Sequence, residues 1–163
     1  MQGHSKGVYP ITFIPADDNW QLTRHVCDRD IVITGSVDCD IRIWSFATGD
    51  CLKTLRGHTG AVHCLAVDPN NTKQFFSAGG DGNIIAWDSI TGDRMRNLRG
   101  HDGTVLSLVT YNKMLFSAAT DKTARSWVME FGEETRVYKG SHSPVTCIQF
   151  FDGMREESLF SRS

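Results

Sequence analysis

Four columns of residues recur along this chain at two fixed spacings. Asp38, Asp81 and Asp121 are 43 and 40 positions apart. Trp44, Trp87 and Trp127 repeat both intervals, so each Asp precedes its Trp by six places. Gly49, Gly92 and Gly132 repeat them again, and His58 and His101 are 43 apart. An earlier Gly3-His4 and the hydroxyl residues Thr34, Ser77 and Ser117 complete the units. Columns that move together in this way define a repeat. A repeat confines the fold to architectures in which one supersecondary unit stacks on the next.

A period of roughly 40–45 residues with a Gly-His start and a Trp near the end signals a four-stranded propeller blade. The residues between the columns support strands. Ile41-Arg42-Ile43-Trp44 alternates apolar with polar, and residues 62–67, 74–77 and 114–118 are short runs of β-branched, aromatic or small residues bounded by turn residues. Pro69-Asn70-Asn71 and Tyr111-Asn112-Lys113 read as hairpin tips. Thr48-Gly49-Asp50 and Thr91-Gly92-Asp93 read as a second hairpin, with Gly supplying positive φ. No window shows sustained helical periodicity.

The expected fold is therefore all-β: an incomplete propeller of about three and a half four-stranded antiparallel blades. Strands are lettered A to D from the axis outward. Blade one covers 3–56, with A near 8–14, B near 31–36, C near 40–46 and D near 51–56. Blade two covers 57–99, with strands at 62–67, 74–79, 83–88 and 94–99. Blade three covers 100–139, with strands at 104–110, 114–119, 123–129 and 134–139. A truncated blade four covers 140–163, with A near 145–151 and the start of B at Leu159-Phe160-Ser161.

These residues resemble the WD-repeat (WD40) family of β-propellers over nearly the whole chain. Blade two carries the full Trp87-Asp88 pair, while Ser45 and Val128 stand in the second place elsewhere. The resemblance implies a scaffold that binds other proteins. The Trp-Asp-x-Arg signature of ubiquitin-ligase adaptors is absent, because Ser89-Ile90 follow Trp87-Asp88.

Composition narrows the function classes. The chain has 163 residues and a formal net charge of −2, which argues against a surface built for nucleic acid. The first twenty residues hold no apolar signal core, and no run approaches the roughly eighteen apolar residues of a membrane span. Cysteines 27, 39, 51, 64 and 147 make an odd number with no CxxC pair. They read as reduced thiols, and a cytoplasmic or nuclear protein is the expectation.

Histidine, serine and aspartate in one unit invite a hydrolase reading. The set recurs in three blades, whereas an active site is normally built once, and each Ser or Thr falls in an apolar strand rather than a sharp elbow. The structural reading accounts for the residue types. A Trp indole only donates, a hydroxyl and a neutral imidazole donate and accept, and an ionised Asp accepts. The resemblance carries the known blade network onto His4, Thr34, Asp38 and Trp44; onto His58, Ser77, Asp81 and Trp87; and onto His101, Ser117, Asp121 and Trp127. His63 and Cys64 are adjacent in a strand and point to opposite faces, so they do not share an ion. His25 and Cys27 lack a second pair at zinc-like spacing. Gly79-Gly80-Asp81-Gly82 lies at a strand–strand turn and is no phosphate loop. No catalytic residue, metal, cofactor or small-molecule substrate is expected.

A protein partner is expected at the D–A loops and B–C turns, which the resemblance places around one mouth of the channel. Lys6, Thr59, Asp102 and Thr104 are the candidates there, with ordinary solvated loops as the alternative. The opposite mouth offers the long A–B loop of blade one at 16–30. Pro15 to Asp38 spans 23 positions against 12 from Pro69 to Asp81. Trp20 and Arg24 make this loop a candidate docking arm; the alternative is that Trp20 folds back onto strand B.

Blade four departs from the pattern. Lys139-Gly140-Ser141-His142 puts Ser141 in the His column, and no Trp follows. An open arc exposes a blade face at each end. Three readings follow, in this order: a fragment or truncated product of a longer propeller without independent activity, a half-ring completed by self-association through its open edges, and an open arc that clamps a partner.

Overall fold

The computed structural model describes residues 3–15 and 30–149. Among them lie twelve strands and no helix. The first sheet holds β1 (Val8–Ile14), β2 (Ile31–Ser36), β3 (Ile41–Ser45) and β4 (Cys51–Leu55). The second holds β5 (Val62–Val67), β6 (Gln74–Gly79), β7 (Ile84–Asp88) and β8 (Arg94–Leu98). The third holds β9 (Val105–Tyr111), β10 (Met114–Ala119), β11 (Ala124–Val128) and β12 (Glu134–Tyr138). Each is a four-stranded antiparallel meander in chain order. The strands begin and end within a residue or two of the bounds read from sequence.

Local chemistry explains why the meanders repeat. The turn between the third and fourth strands closes on a left-handed glycine in every blade: Gly49, Gly92 and Gly132, with φ of 72°, 80° and 74°. Their N–H groups donate back to Ser45, Asp88 and Val128 carbonyls at 2.8, 2.9 and 2.7 Å. The turn between the second and third strands is also left-handed, at Cys39, Gly82 and Lys122, with φ of 71°, 71° and 67°. One of those three is glycine, so Cys39 and Lys122 hold a conformation that a Cβ disfavours. A bulge precedes the Trp of each third strand, where Trp44 faces Cys51, Trp87 faces Arg94 and Trp127 faces Glu134. It adds local twist at the same place in each blade.

The core lies between blades, not within one. Ile33, Ile41, Ile43 and Leu55 of blade one pack against Phe75, Ile85 and Trp87 of blade two. Phe76, Ala78, Ile84 and Leu98 on the other face of blade two pack with Leu108, Leu115 and Trp127 of blade three. Strand alternation makes this possible: neighbours Phe75 and Phe76 point to opposite faces and are both fully buried. Every residue of β6 is buried, because blade two has a neighbour on each side.

The truncated fourth blade differs from expectation. Residues 145–149, the described part of its expected first strand, form no strand. Val145 N donates to Ala119 O at 3.1 Å and Ile148 N donates to Ser107 Oγ at 3.3 Å. Among the described residues no second strand stands beside the segment to complete a ladder. The expected strand at Leu159-Phe160-Ser161 and the loop at 16–29, with Trp20, Arg24, His25 and Cys27, lie outside the described residues.

Candidate functional site

Three polar networks hold the edge where the first-strand loops meet the second-to-third-strand turns. In blade two, Trp87 Nε1 on β7 donates to Ser77 Oγ on β6 at 2.7 Å. Ser77 Oγ lies 2.7 Å from His58 Nε2, and His58 Nδ1 lies 2.9 Å from Asp81 Oδ2. The order of donors follows from the groups themselves. Trp only donates and an ionised Asp only accepts, so a neutral His58 donates from Nδ1 and accepts the Ser77 hydroxyl at Nε2. Each of the four side chains in this network then has a partner.

The other blades bring the same positions together. In blade three Trp127 Nε1 donates to Ser117 Oγ at 2.9 Å, Ser117 Oγ is 2.7 Å from His101 Nε2, and His101 Nδ1 is 2.8 Å from Asp121 Oδ2. In blade one Thr34 replaces the serine: Trp44 Nε1 and His4 Nε2 both lie 2.8 Å from its Oγ1, and His4 Nδ1 is 3.0 Å from Asp38 Oδ2. Glycine precedes each His for a reason visible in two blades. A Cβ at Gly57 or Gly100 would stand 3.0 Å from the Trp87 or Trp127 ring.

Each aspartate also ties down two backbone segments. Asp81 accepts from Thr59 N at 3.1 Å and Asn83 N at 3.1 Å; Asp38 accepts from Ser5 N at 2.9 Å and Asp40 N at 3.1 Å. Asp121 accepts from Asp102 N at 3.2 Å and from Thr123 N at 3.0 Å and Oγ1 at 2.7 Å. Burial works against the charged carboxyl of Asp81, but the His58 hydrogen bond and the two backbone donors outweigh it and hold its pKa down to about 2. Asp38 and Asp121 are likewise held at about 2, with burial opposed by their own hydrogen-bond donors. His101 moves down from the ordinary imidazole value: burial dominates, and Asp121 offsets part of it.

The arrangement has the composition of a catalytic triad and not its access. Ser77 and Ser117 are fully buried and Thr34 is 8% exposed. A nucleophile needs an exposed oxygen with a free lone pair aimed at substrate. Here the hydroxyl is spent between an indole and an imidazole. The metal-like pair His63-Cys64 is also split. The His63 ring rests on Tyr9 at 5.5 Å, while Cys64 Sγ is buried near Ala78 O and Val105 O. Among the described residues no three His, Cys, Asp or Glu side chains converge as a metal set. Among the described residues no helix is long and apolar enough to cross a membrane.

Of the candidate partner residues, Lys6, Thr59, Asp102 and Thr104 fall on the edge that these networks brace. Gly7 O, Ala61 O and Thr104 O accept from Val37 N, Gly80 N and Thr120 N at 2.9, 2.8 and 2.9 Å, closing each loop onto its own turn. Lys6, Thr59 and Asp102 are exposed beside these bonds, and Thr104 is half-buried. Gly82 joins the blades: its ideal Cβ would lie 3.0 Å from His101 O and 3.1 Å from Gly103 O.

A second set of contacts carries no Trp, His or Asp and escaped the sequence reading. Lys53 Nζ on β4 donates to Ile90 O and Thr91 O of blade two, each at 2.6 Å. Arg96 Nη1 on β8 reaches Met129 O of blade three at 3.4 Å. Lys53, Arg96 and Arg136 stand 43 and 40 apart, so the repeat spacing was the signal that could have revealed them.

The comparisons with known proteins agree with this geometry. The profile described as "WD domain, G-beta repeat" matches residues 1–45, 49–88 and 92–127. The chain is 42% identical over 59 residues to human WD repeat-containing protein 86, covering 32% of this chain and 16% of that protein. It is 42% identical over 57 residues to the GID complex subunit 7 of Schizosaccharomyces pombe, covering 35% and 11%. The solved structure of U3-55K superposes with a TM-score of 0.77 at 20% identity, covering 90% of this chain and 43% of that one. The computationally designed Ika4 protein superposes with a TM-score of 0.75 at 26% identity, covering 93% and 84%. The chain thus spans a small part of the curated relatives it matches. The matched residues include every member of the three His, Ser or Thr, Asp and Trp networks, and the chain belongs to the WD40 family.

Proposed function

We propose that this chain is a non-enzymatic protein-interaction scaffold whose partner surface is the loop edge carrying Lys6, Thr59, Asp102 and Thr104. WD40 proteins are generally scaffolds of this kind, and a relative is itself named as a complex subunit. The single observation that supports the reading is the threefold network with its hydroxyl buried at the centre. It makes the repeated polar residues framework and leaves the loop side chains free to vary without loss of fold. Cys39, Cys51, Cys64 and Cys147 are free thiols, which supports a reducing compartment, cytoplasm or nucleus. The same scaffold acts as part of a longer propeller in the alternative reading, supported by the 16% and 11% of relatives that the chain spans.

The test compares affinity capture by the wild-type chain and by a Lys6→Glu, Thr59→Arg, Asp102→Arg triple variant. These exposed changes leave melting unchanged. Proteins retained by wild type and lost by the variant would support the loop edge. An identical set of bound proteins would overturn it.

A further inference from the structure

We infer that the loop edge receives an acidic segment of a protein partner, an extended run with spaced Asp and Glu, seated on a column of exposed cations. The inference deepens the scaffold reading and rests on it.

The cations recur at the repeat spacing. Arg56, Arg99 and Lys139 stand 43 and 40 positions apart. Each directly follows the last strand of its blade and directly precedes the glycine of the next loop. The other polar columns hold the fold: the network residues brace the loops, and Lys53 and Arg96 bond the next blade. This column has no such duty. Arg56 Nε meets Asp40 Oδ1 at 3.7 Å with its own side chain 82% exposed. Arg99 and Lys139 are exposed and pair with no carboxylate among the described residues. Arg99 is nevertheless held in place. With the Asn97 amide turned so that its nitrogen donates to Ile84 O, its oxygen accepts from Arg99 Nε at 3.1 Å. That bond fixes the guanidinium by its inner nitrogen and presents the two outer ones as a fork for a carboxylate. Arg99 also lies in blade two, which has a neighbour on each side, and it is exposed there all the same.

The surroundings favour an acidic ligand by direct contact. Lys6 and Lys122 add exposed cations to the same edge, where Asp102 is the exposed carboxylate and Asp40 is half-buried against Arg56. Asp38, Asp81 and Asp121 are at most 9% exposed and have their oxygens engaged by His and backbone donors. Their charge lowers the potential over the edge, so recognition rests on close ion pairs rather than on long-range attraction. The opposite edge mixes signs, with Asp50, Asp93, Glu130 and Glu133 exposed in its outer turns and Lys73 and Lys113 at its hairpin tips. A nucleic acid would bring a phosphate at every residue, against Asp102 and the aspartates beneath it. A peptide can place its acids only where the cations stand. Packed sheets lie about 10 Å apart, and an extended chain rises about 3.3 Å per residue. Acids that reach cations on successive blades are therefore three or more residues apart.

The experiment measures fluorescence anisotropy of a labelled peptide with Glu at every fourth position among Gly and Ser. Its Gln counterpart and a labelled single-stranded polyuridine are the comparisons. The proteins are the wild-type chain, an Arg99→Gln, Lys139→Gln double variant, and Lys73→Gln on the opposite edge. All three side chains are exposed, so melting should stay at the wild-type value. The Glu peptide should bind wild type and Lys73→Gln alike, and the Gln peptide should bind neither. The double variant should bind the Glu peptide about tenfold more weakly, the upper end of what two exposed ion pairs contribute. Added salt should weaken binding as well. A Glu peptide that does not bind overturns the proposal, as does equal binding of the Gln peptide, indifference to the double variant, or tighter binding of polyuridine. Affinity capture by the double variant separates this proposal from the scaffold reading. Proteins lost from the triple loop variant but kept by the double variant would overturn the acidic segment and leave the loop edge standing. Proteins lost from both would support both.

Discussion

Trp87 Nε1 and His58 Nε2 converge on the same Ser77 oxygen, each at 2.7 Å, from opposite ends of a blade's sequence. The indole comes from β7 and the imidazole from the loop before β5. Their meeting point fixes how the loop edge sits on the sheet, and Asp81 completes it from the turn. A fully satisfied buried network of this kind specifies a single packing.

Removing the terminal acceptor should therefore be costly. Asp81→Ala leaves His58 Nδ1 and the Thr59 and Asn83 amides without their partner. Urea unfolding should show a loss of about 2–4 kcal/mol. A variant that unfolds at the wild-type midpoint would show that the network does not stabilise the blade.

Acid should weaken the chain in two stages. His101 titrates below 6.5 in the folded state, chiefly through burial. The unfolded chain takes up that proton first, so stability begins to fall as pH drops through 6.5. Asp38, Asp81 and Asp121 are held at about 2 against an ordinary 3.8. Their contribution is complete above 3.8 and is lost as pH falls towards 2. Melting temperatures from pH 8 to 2 should record both declines; a flat profile from pH 5 to 2.5 would contradict the carboxylate assignment.

The same substitution should matter differently in blades two and three. Phe76 is fully buried between them, and Phe116, at the equivalent place on blade three, is half-buried. Phe76→Ala should cost about 3–5 kcal/mol. Phe116→Ala should cost about 1 kcal/mol, because less of its surface leaves water on folding. Equal losses in denaturant melts would mean that Phe116 is covered as fully as Phe76.

Cysteine reactivity offers a check on the interblade core. Cys64 is 8% exposed, and burial pushes its thiol up to about 12. It should resist alkylation in the native chain at pH 8, while the exposed Cys51 and Cys147 react. Peptide mass spectrometry after a short iodoacetamide pulse reads each site separately. Rapid native labelling of Cys64 would show that blades two and three part readily.

Much of the blade was legible because its signals are local. Strand alternation, the left-handed turn glycines Gly49, Gly92 and Gly132, and the six-residue step from Asp to Trp all act within one repeat. The network residues were legible because three copies sit in register. The fourth blade was misread over 145–149 for the same reason. Its residues repeat the pattern of a first strand, but a strand needs a partner ladder, and none stands beside it among the described residues.

The sequence by itself determined the unit: four strands, their order, and which polar residues recur. Tertiary structure decided what each unit packs on. Nothing local to Phe75 and Phe76 says that one faces blade one and the other blade three. Nothing local to Gly35 says that a Cβ there would strike Val62 of the next blade at 2.5 Å. The Lys53 and Arg96 latches likewise depend on a turn in the following repeat. Hydrogen bonding and alternation are set by near neighbours along the chain. Burial is set by whichever blade lies alongside, roughly one repeat of 40–45 residues away, and that is why the contacts between blades declare themselves only in the folded structure.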